Sequence, residues 1–208
     1  MSDRTPAEAW AEMLDGNERF VAGAPEHPRQ DVERREAVSR GQSPHAALFG
    51  CSDSRLAAEI IFDRGIGDLF VVRNAGQIIS ESVIGSLEYA VSVLEVPLIV
   101  VLGHDECGAV RAAIDVEEGT APALPRHIAT MISKIVPAVK RVADDGEPGH
   151  PIDSQEVGRE HLRDTIAELL ESSELISEAI AAGTLAVVGA NYRLLEGRAI
   201  PDVVVGAV

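Results

Sequence analysis

The sequence predicts an α/β protein with a mainly parallel central sheet of about four strands, a C-terminal edge strand and flanking helices. Apolar runs of strand length alternate with amphipathic, helix-like segments along the 208 residues. A strand at 68–73, a helix at 81–94 and a strand at 96–103 are joined by short links, the pattern of a parallel βαβ unit. We therefore expect one domain (1–208), in which an N-terminal helical arm (1–40) precedes an α/β core (41–208).

The N-terminal arm contains two predicted helices. Residues 7–21 carry Trp10, Met13 and Leu14 at helical spacing, and residues 31–39 form a more strongly charged helix. We expect these helices to pack on a partner subunit; packing on the chain's own core is the alternative.

The elements of the core follow in a regular order. Strands are predicted at 45–50, 68–73, 96–103 and 184–190, with an edge strand at 203–206, and helices at 81–94, 107–114, 128–142 and 156–170. The polar segment 144–151 is rich in Gly and Pro and predicts an exposed loop between the last two helices.

Both cysteines of the chain and one histidine directly follow predicted strands. Cys51 comes after the apolar run 45–50, and His104 and Cys107 come after 96–103. The carboxyl ends of parallel strands meet at one edge of a sheet, so we expect these side chains to converge. Cys107 also falls in the first turn of a predicted helix, where the helix dipole stabilises a thiolate. Two thiolates and one imidazole are typical ligands of zinc, with a fourth position left for water or substrate.

A disulfide between Cys51 and Cys107 is the alternative use of the two cysteines. It is the weaker hypothesis because it leaves His104 without a role, and two cysteines in a chain of this length do not form a disulfide framework.

Charge and composition narrow the range of partners. The net charge is −16, from 34 acidic and 18 basic residues, and aromatic residues make up 3% of the chain. Nucleic-acid binding needs clustered cations or stacking aromatics, so we expect none and favour a small-molecule substrate. No apolar run reaches membrane-spanning length, and residues 1–6 do not resemble a signal peptide, which predicts a cytoplasmic protein with no membrane contact.

The two polar segments belong to an ordered series of short motifs. The segments are Cys51-Ser52-Asp53-Ser54-Arg55 and His104-Asp105-Glu106-Cys107, and they are accompanied by motifs at 16–20, 70–74 and 88–91. With this series, at this spacing and over most of the chain, the sequence resembles a β-class carbonic anhydrase.

The resemblance implies a zinc enzyme. Cys51, His104 and Cys107 would bind one Zn²⁺ per subunit, and zinc-bound hydroxide would attack CO2 to give bicarbonate. Asp53 and Arg55 match the family's catalytic dyad, in which the guanidinium holds the carboxylate by paired hydrogen bonds. In a closed state Asp53 would leave Arg55, become the fourth zinc ligand and exclude water.

The resemblance also implies five substrate-binding positions. Gln42 would donate to bicarbonate, Phe70 and Tyr89 would line the apolar part of the pocket, and Gly76 and Gly108 would allow close approach of a small substrate. The family's pocket lies at a subunit interface, so the resemblance further implies a homodimer or a dimer of dimers in which some of these groups come from the partner.

One departure from the family pattern concerns inhibition. Leu48 stands where one subgroup carries a tryptophan that holds an inhibitory bicarbonate together with an arginine and a tyrosine. Arg73 and Tyr192 match the other two positions, but without the tryptophan we expect no such site. The remaining histidines lack ligand spacing and are expected on the surface or on helix faces; they are His27, His45, His127, His150 and His161.

Two other functions remain open. Hydrolysis of carbonyl sulfide or carbon disulfide would use the same fold and the same zinc. A non-catalytic structural or sensory protein would close the zinc site with Asp53 as a fourth ligand. Arg55 speaks against the latter, because its expected role is to keep Asp53 away from the metal.

Overall fold

A five-stranded sheet forms the centre of the computed structural model, which describes residues 4–146 and 150–208. The strands are β1 (Ala46–Cys51), β2 (Leu69–Asn74), β3 (Leu98–His104), β4 (Ala186–Arg193) and β5 (Arg198–Val205). Their order is β2-β1-β3-β4-β5, with parallel pairing throughout except for the antiparallel β5. The predicted sheet and its C-terminal edge strand are confirmed.

The sheet is covered on both faces, which explains why its central strands are almost entirely apolar. Every residue of β1 and β3 is buried. Alternate residues of β1 enter two separate hydrophobic clusters, with Leu48 in one and Phe49 in the other. Strands buried on both faces carry apolar residues at every position, as parallel strands between helices do.

Helices surround this sheet, and several differ from prediction. Their bounds are α1 (Pro6–Val21), α2 (Val32–Ala37), α3 (Ala58–Ile61), α4 (Glu81–Ser92), α5 (Gly108–Glu117), α6 (Arg126–Ile132), α7 (Val136–Asp145), α8 (Ser154–Ser172) and α9 (Glu174–Ala181). The helix predicted at 128–142 is two helices, because Pro137 lies in the first turn of α7 and cannot donate the hydrogen bond that a continuous helix needs.

Two short helices and part of a strand were not predicted. Helix α3 has only four residues, and α9 directly follows α8, separated by Ser173, whose hydroxyl accepts a hydrogen bond from the N–H of Ile176. Strand β5 begins earlier than the predicted edge strand, because a bulge lets the ladder pass Pro201. The loop predicted at 144–151 lies partly outside the described residues.

Helix α1 packs on its own chain. Trp10 and Met13 are buried in the core, and the side chain of Asn17 donates to the carbonyl oxygens of Ile61 (3.1 Å) and Gly197 (2.8 Å). The Asn17 amide oxygen also accepts from the N–H of Ala199 at 2.9 Å. Packing on the chain's own core was the alternative given for the N-terminal arm, and α1 follows it. Contact of the arm with a partner subunit stays a prediction.

A buried carboxylate attaches the second part of the arm. Asp68, which is fully buried, accepts hydrogen bonds from Arg29 Nη2 (2.6 Å) and from the N–H of Gly65 (2.9 Å), and Arg34 Nη2 lies 3.3 Å away. Burial opposes ionisation of Asp68, but the hydrogen bonds from Arg29 and Gly65 outweigh it and hold the pKa of this carboxyl below its ordinary value.

Within the described ranges, no helix is long and apolar enough to cross a membrane.

Candidate metal centre and active site

Three potential metal ligands converge at the carboxyl ends of β1 and β3. Cys51 is the last residue of β1, His104 is the last residue of β3, and Cys107 is the residue that precedes the first turn of α5. The two strands are parallel neighbours, so their ends lie side by side. The ligand atoms of the three side chains all lie within 4.8 Å of one another. The predicted convergence at one sheet edge is confirmed.

The imidazole of His104 is oriented for metal binding. Its Nδ1 lies 2.7 Å from the carbonyl oxygen of Asp105, and since a carbonyl oxygen only accepts, Nδ1 must carry the proton. The other nitrogen, Nε2, therefore presents a bare lone pair. This atom is buried, and it has no hydrogen-bond partner among the described residues. A buried lone pair without a partner beside two sulfur atoms fits a metal ion.

The two thiols share a single environment. Within the described chain both cysteines are free, so the disulfide alternative is not what the structure shows. The neighbouring thiol of Cys107 lowers the pKa of Cys51, assisted by the backbone N–H of Gly76, whose nitrogen lies 3.3 Å from Cys51 Sγ. The same contact with Cys51, together with burial, raises the pKa of Cys107. A divalent cation would favour the thiolate form of both sulfurs.

Asp53 and Arg55 form the predicted pair. Arg55 Nε donates to Asp53 Oδ1 at 2.9 Å and Arg55 Nη2 donates to Oδ2 at 2.7 Å, so the contact is bidentate. The backbone N–H of Arg55 also donates to Oδ1 at 2.9 Å. These hydrogen bonds, those from the Arg55 side chain first, hold the pKa of Asp53 well below its usual range. Asp53 is therefore an oriented, ionised carboxylate.

Arginine side chains also fix the loop that carries this pair. Arg55 Nη2 reaches the carbonyl oxygen of Glu106 at 3.2 Å, which joins the loop after β1 to the segment between His104 and Cys107. Arg73, on β2, donates from Nε to the carbonyl oxygen of Cys51 (3.0 Å) and from Nη2 to that of Asp53 (2.7 Å). The structure thus gives Arg73 a part in holding the backbone of the site.

The backbone conformation and the surroundings of Gly76 favour a residue without a side chain. Its φ of +76° is in the left-handed region, and a Cβ atom there would come within 2.8 Å of Ala109 Cβ. Gly108 begins α5 and lines an apolar cavity of about 250 Å³, with Ala75, Ile78 and residues of α6. Gly76 thus lies next to Cys51, and Gly108 directly follows Cys107.

Three predicted pocket residues lie elsewhere in the chain. Gln42 is in the exposed loop before β1, and Phe70 pairs in register with Ala47, near the start of β1. The ring of Phe70 is 6.1 Å from that of the partly exposed Tyr89. Successive strand residues advance about 3.3 Å, so the two ends of β1 are roughly 16 Å apart. The structure does not bring these side chains to the metal ligands of the same chain.

One residue of the site was not singled out from the sequence. His161 was expected on the surface or on a helix face, and it lies on the buried face of α8. Its Nε2 is 2.7 Å from the carbonyl oxygen of Gly76. Val157 and Thr165, four residues to either side, are also buried, and this helical spacing was the signal that could have located it.

Fold and site together define a class of protein: an α/β protein with a cluster of sulfur and nitrogen atoms that could hold a metal ion at the carboxyl edge of a parallel sheet, beside a carboxylate held by arginine. Comparison with known proteins agrees. The family model described as carbonic anhydrase matches residues 46–199. The chain is 49% identical over 201 residues to carbonic anhydrase 2 of Mycobacterium tuberculosis, covering 96% of this chain and 94% of that protein. The chain belongs to the carbonic anhydrase family.

Further relatives extend this result. A carbonic anhydrase of Mycolicibacterium smegmatis is 46% identical over 199 residues, covering 95% of this chain and 94% of the relative. A tetrameric β-carbonic anhydrase of Sordaria macrospora has a similar structure, with a TM-score of 0.71 over 92% of this chain and 95% of that one. Its sequence identity is 24%, so it establishes the β-class fold and nothing finer.

Proposed function

We propose that the protein is a Zn²⁺-dependent carbonic anhydrase that interconverts CO2 and bicarbonate plus a proton. The observation that carries the proposal is the cluster of Cys51, His104 and Cys107, with the bare Nε2 of His104 turned to the sulfurs and an arginine-held carboxylate beside them. Membership of the carbonic anhydrase family is the reason for proposing this reaction, and the cluster is the site at which the reaction would take place.

The donor set favours zinc as the metal. Thiolate sulfur and imidazole nitrogen are its usual protein ligands, and three of them leave the fourth position that a catalytic site requires. Zinc bound there lowers the pKa of a water molecule toward neutrality. The buried ligands and the hydrogen bond from His104 Nδ1 to Asp105 keep the donor atoms oriented in advance.

The dyad positions the proton of the nucleophile. An ionised Asp53 can only accept hydrogen bonds, so it can take one from the nucleophilic water and direct the remaining lone pair of that oxygen toward CO2. Arg55 engages both carboxylate oxygens, and a swing of Asp53 onto the metal would break these hydrogen bonds. The arrangement supports an open site and argues against a purely structural one.

The pocket is proposed to be completed by a partner subunit. Gln42, Phe70 and Tyr89 lie away from the metal ligands of their own chain, so they can take part only if a second chain brings them there. A homodimer or dimer of dimers is the matching assembly, since a symmetric dimer completes both of its sites in the same way. A cytoplasmic location likewise stays a prediction.

Mixing inactive variants tests this arrangement. Q42A and D53A proteins would be combined, dissociated and reassociated. If Gln42 acts across the interface, each mixed dimer regains one intact site, and random pairing restores about a quarter of wild-type activity. If Gln42 acts within its own chain, no mixed dimer has an intact site and activity stays at the level of the parent variants.

Stopped-flow CO2 hydration tests the proposed function itself. Zinc-loaded wild type, D53A and D164A, which removes a surface carboxylate paired with Arg141, would be compared from mildly acidic to alkaline pH. We expect fast hydration by wild type and D164A, and a loss of about a hundredfold or more in D53A at unchanged zinc content. No hydration at any pH, despite full zinc occupancy, would reject the proposal; turnover of carbonyl sulfide instead would favour the hydrolase alternative.

A further inference from the structure

We propose that His161 is a positioning residue of the metal centre: through Gly76 it holds the turn whose backbone N–H donates to the sulfur of Cys51. The inference rests on the proposed zinc site. The contacts form a continuous series, from His161 Nε2 to the Gly76 carbonyl oxygen (2.7 Å) and from the Gly76 nitrogen to Cys51 Sγ (3.3 Å). The series joins α8 to the end of β1.

The direction of the first hydrogen bond is fixed by chemistry. The carbonyl oxygen of Gly76 can only accept, so His161 Nε2 must carry a proton and donate it. His161 is buried on α8, and its backbone oxygen accepts from Thr165 Oγ1 at 2.8 Å. Burial also lowers the pKa of this imidazole. His161 is therefore a neutral donor on a long, packed helix.

The turn that it contacts needs external support. Gly76 and Gln77 have φ values of +76° and +48°, so two consecutive residues occupy the left-handed region, the second of them not a glycine. The side chain of Asn74 bonds both the N–H and the carbonyl oxygen of Ile78 at 2.7 Å, which secures the ends of the turn. The hydrogen bond from His161 secures its middle, next to the N–H that faces Cys51.

The position of this N–H matters for a metal-bound thiolate. A hydrogen bond to sulfur withdraws charge from it, so its loss makes Cys51 a stronger electron donor and leaves the sulfur less firmly oriented. Among the described residues His161 Nδ1 has no hydrogen-bond partner, so Nε2 is the nitrogen through which the side chain acts. His161 would thus adjust the metal centre without contacting it.

The test compares two replacements of similar size. In H161Q the amide nitrogen can occupy the place of Nε2 and donate to Gly76, whereas H161L fills the space with no donor. Wild type and both variants would be loaded with Co²⁺, which gives a sulfur-to-metal charge-transfer absorption. We expect this band to move to lower energy in H161L, with metal released to a chelator roughly tenfold faster, and both properties to be near wild type in H161Q.

Thermal unfolding of the same samples separates positioning from packing. If His161 only fills space, the variant with the lower thermal stability should show the larger change in band energy and metal-release rate, whether it is H161Q or H161L. If His161 positions the turn, both properties should change in the variant that lacks a hydrogen-bond donor, H161L, whatever the stabilities of the two variants. If H161L does not fold, H161N replaces it, because its amide lies at the place of Nδ1 and does not reach Gly76.

The outcomes are distinct for the two proposals. A wild-type band and wild-type release rate in the donor-free variant would overturn the role of His161 while leaving the metal site intact. Failure of the wild-type protein to bind Co²⁺ with a thiolate charge-transfer band would overturn the metal-site proposal, and with it the role of His161.

Discussion

Replacing Gly76 by alanine should destabilise the protein and its metal centre together. The new methyl group would lie 2.8 Å from Ala109 Cβ, a distance that carbon atoms not bonded to each other do not tolerate, and the residue would have to keep a φ of +76°. Ala109 is in the first turn of α5, next to Cys107, so any relief of the contact moves either that turn or the N–H that faces Cys51.

The size of the effect follows from these two costs. Holding a residue with a Cβ in the left-handed region costs about 1–2 kcal/mol. Inserting a methyl group into a packed site costs about 1–3 kcal/mol. Their sum predicts a loss of about 2–5 kcal/mol in the free energy of unfolding for G76A, or about 4–20 °C in Tm for a chain of this size.

Gly108 provides the matched control for stability. It lies in the neighbouring segment, next to Cys107, but its φ is not positive, and a Cβ there has no described heavy atom within 4 Å. Since alanine is the better helix former, G108A should leave stability unchanged or raise it by up to about 1 kcal/mol.

The assay is denaturant and thermal unfolding at one fixed protein concentration, with zinc per chain measured in parallel. Fixed concentration is needed because the stability of an oligomer depends on it. We expect G76A to lose both stability and zinc, and G108A to lose neither. Equal stability of the two variants would refute the steric reasoning, and a destabilised G76A with normal zinc retention would separate the turn from the metal centre.

Three further predictions concern the dyad, a ligand and the arm. R55K should lower the hydration rate at unchanged zinc content, since lysine cannot form the bidentate contact, measured by stopped flow with metal analysis. C107S should release zinc to a chelator at least about tenfold faster than wild type. D68N should lower the free energy of unfolding by about 3 kcal/mol, against less than about 1 kcal/mol for D164N, whose arginine partner Arg141 is on the surface. Because the folded-state pKa of Asp68 is lowered, its contribution is complete above the unfolded pKa and is lost as the pH falls toward the folded pKa, so the D68N difference should be constant above about pH 5 and decrease steadily below about pH 4; a difference that is the same at pH 3 as at pH 6 would contradict this.

The sequence predicted those features that depend on local pattern. Apolar runs located the strands, and the rule that parallel strands end at one edge brought Cys51, His104 and Cys107 together. What it missed depended on single residues within longer patterns. Pro137 divided a helix whose apolar periodicity continues across the break, and a bulge beside Pro201 extended β5 past a residue that sequence rules treat as a strand end.

The direction of β1 separates the predicted site residues into two groups, one at each end of the strand, and sequence motifs do not show this separation. Gln42 and Phe70 were grouped with the zinc ligands by resemblance, yet they lie toward the beginning of β1, while Cys51 ends it. A motif records that residues act at one site and does not record which chain supplies them. The length and direction of the strand separate the two groups within one chain, which is why we propose a second chain and test the assembly by mixing variants.

His161 is a second case in which sequence motifs do not describe the site, because no motif included it. Metal-ligand spacing was the criterion applied to every histidine, and His161 fails it because its imidazole contacts a backbone carbonyl and lies outside the cluster of Cys51, His104 and Cys107. Its contribution lies 85 residues away in the chain, at a carbonyl oxygen that no side-chain motif records. Asn74 secures the ends of this turn from within the local sequence, but the contact at its middle comes from a distant helix, and sequence gives no indication of which helix supplies it. The candidate metal ligands can therefore be identified from sequence, whereas identifying the groups proposed to hold them in place requires the fold.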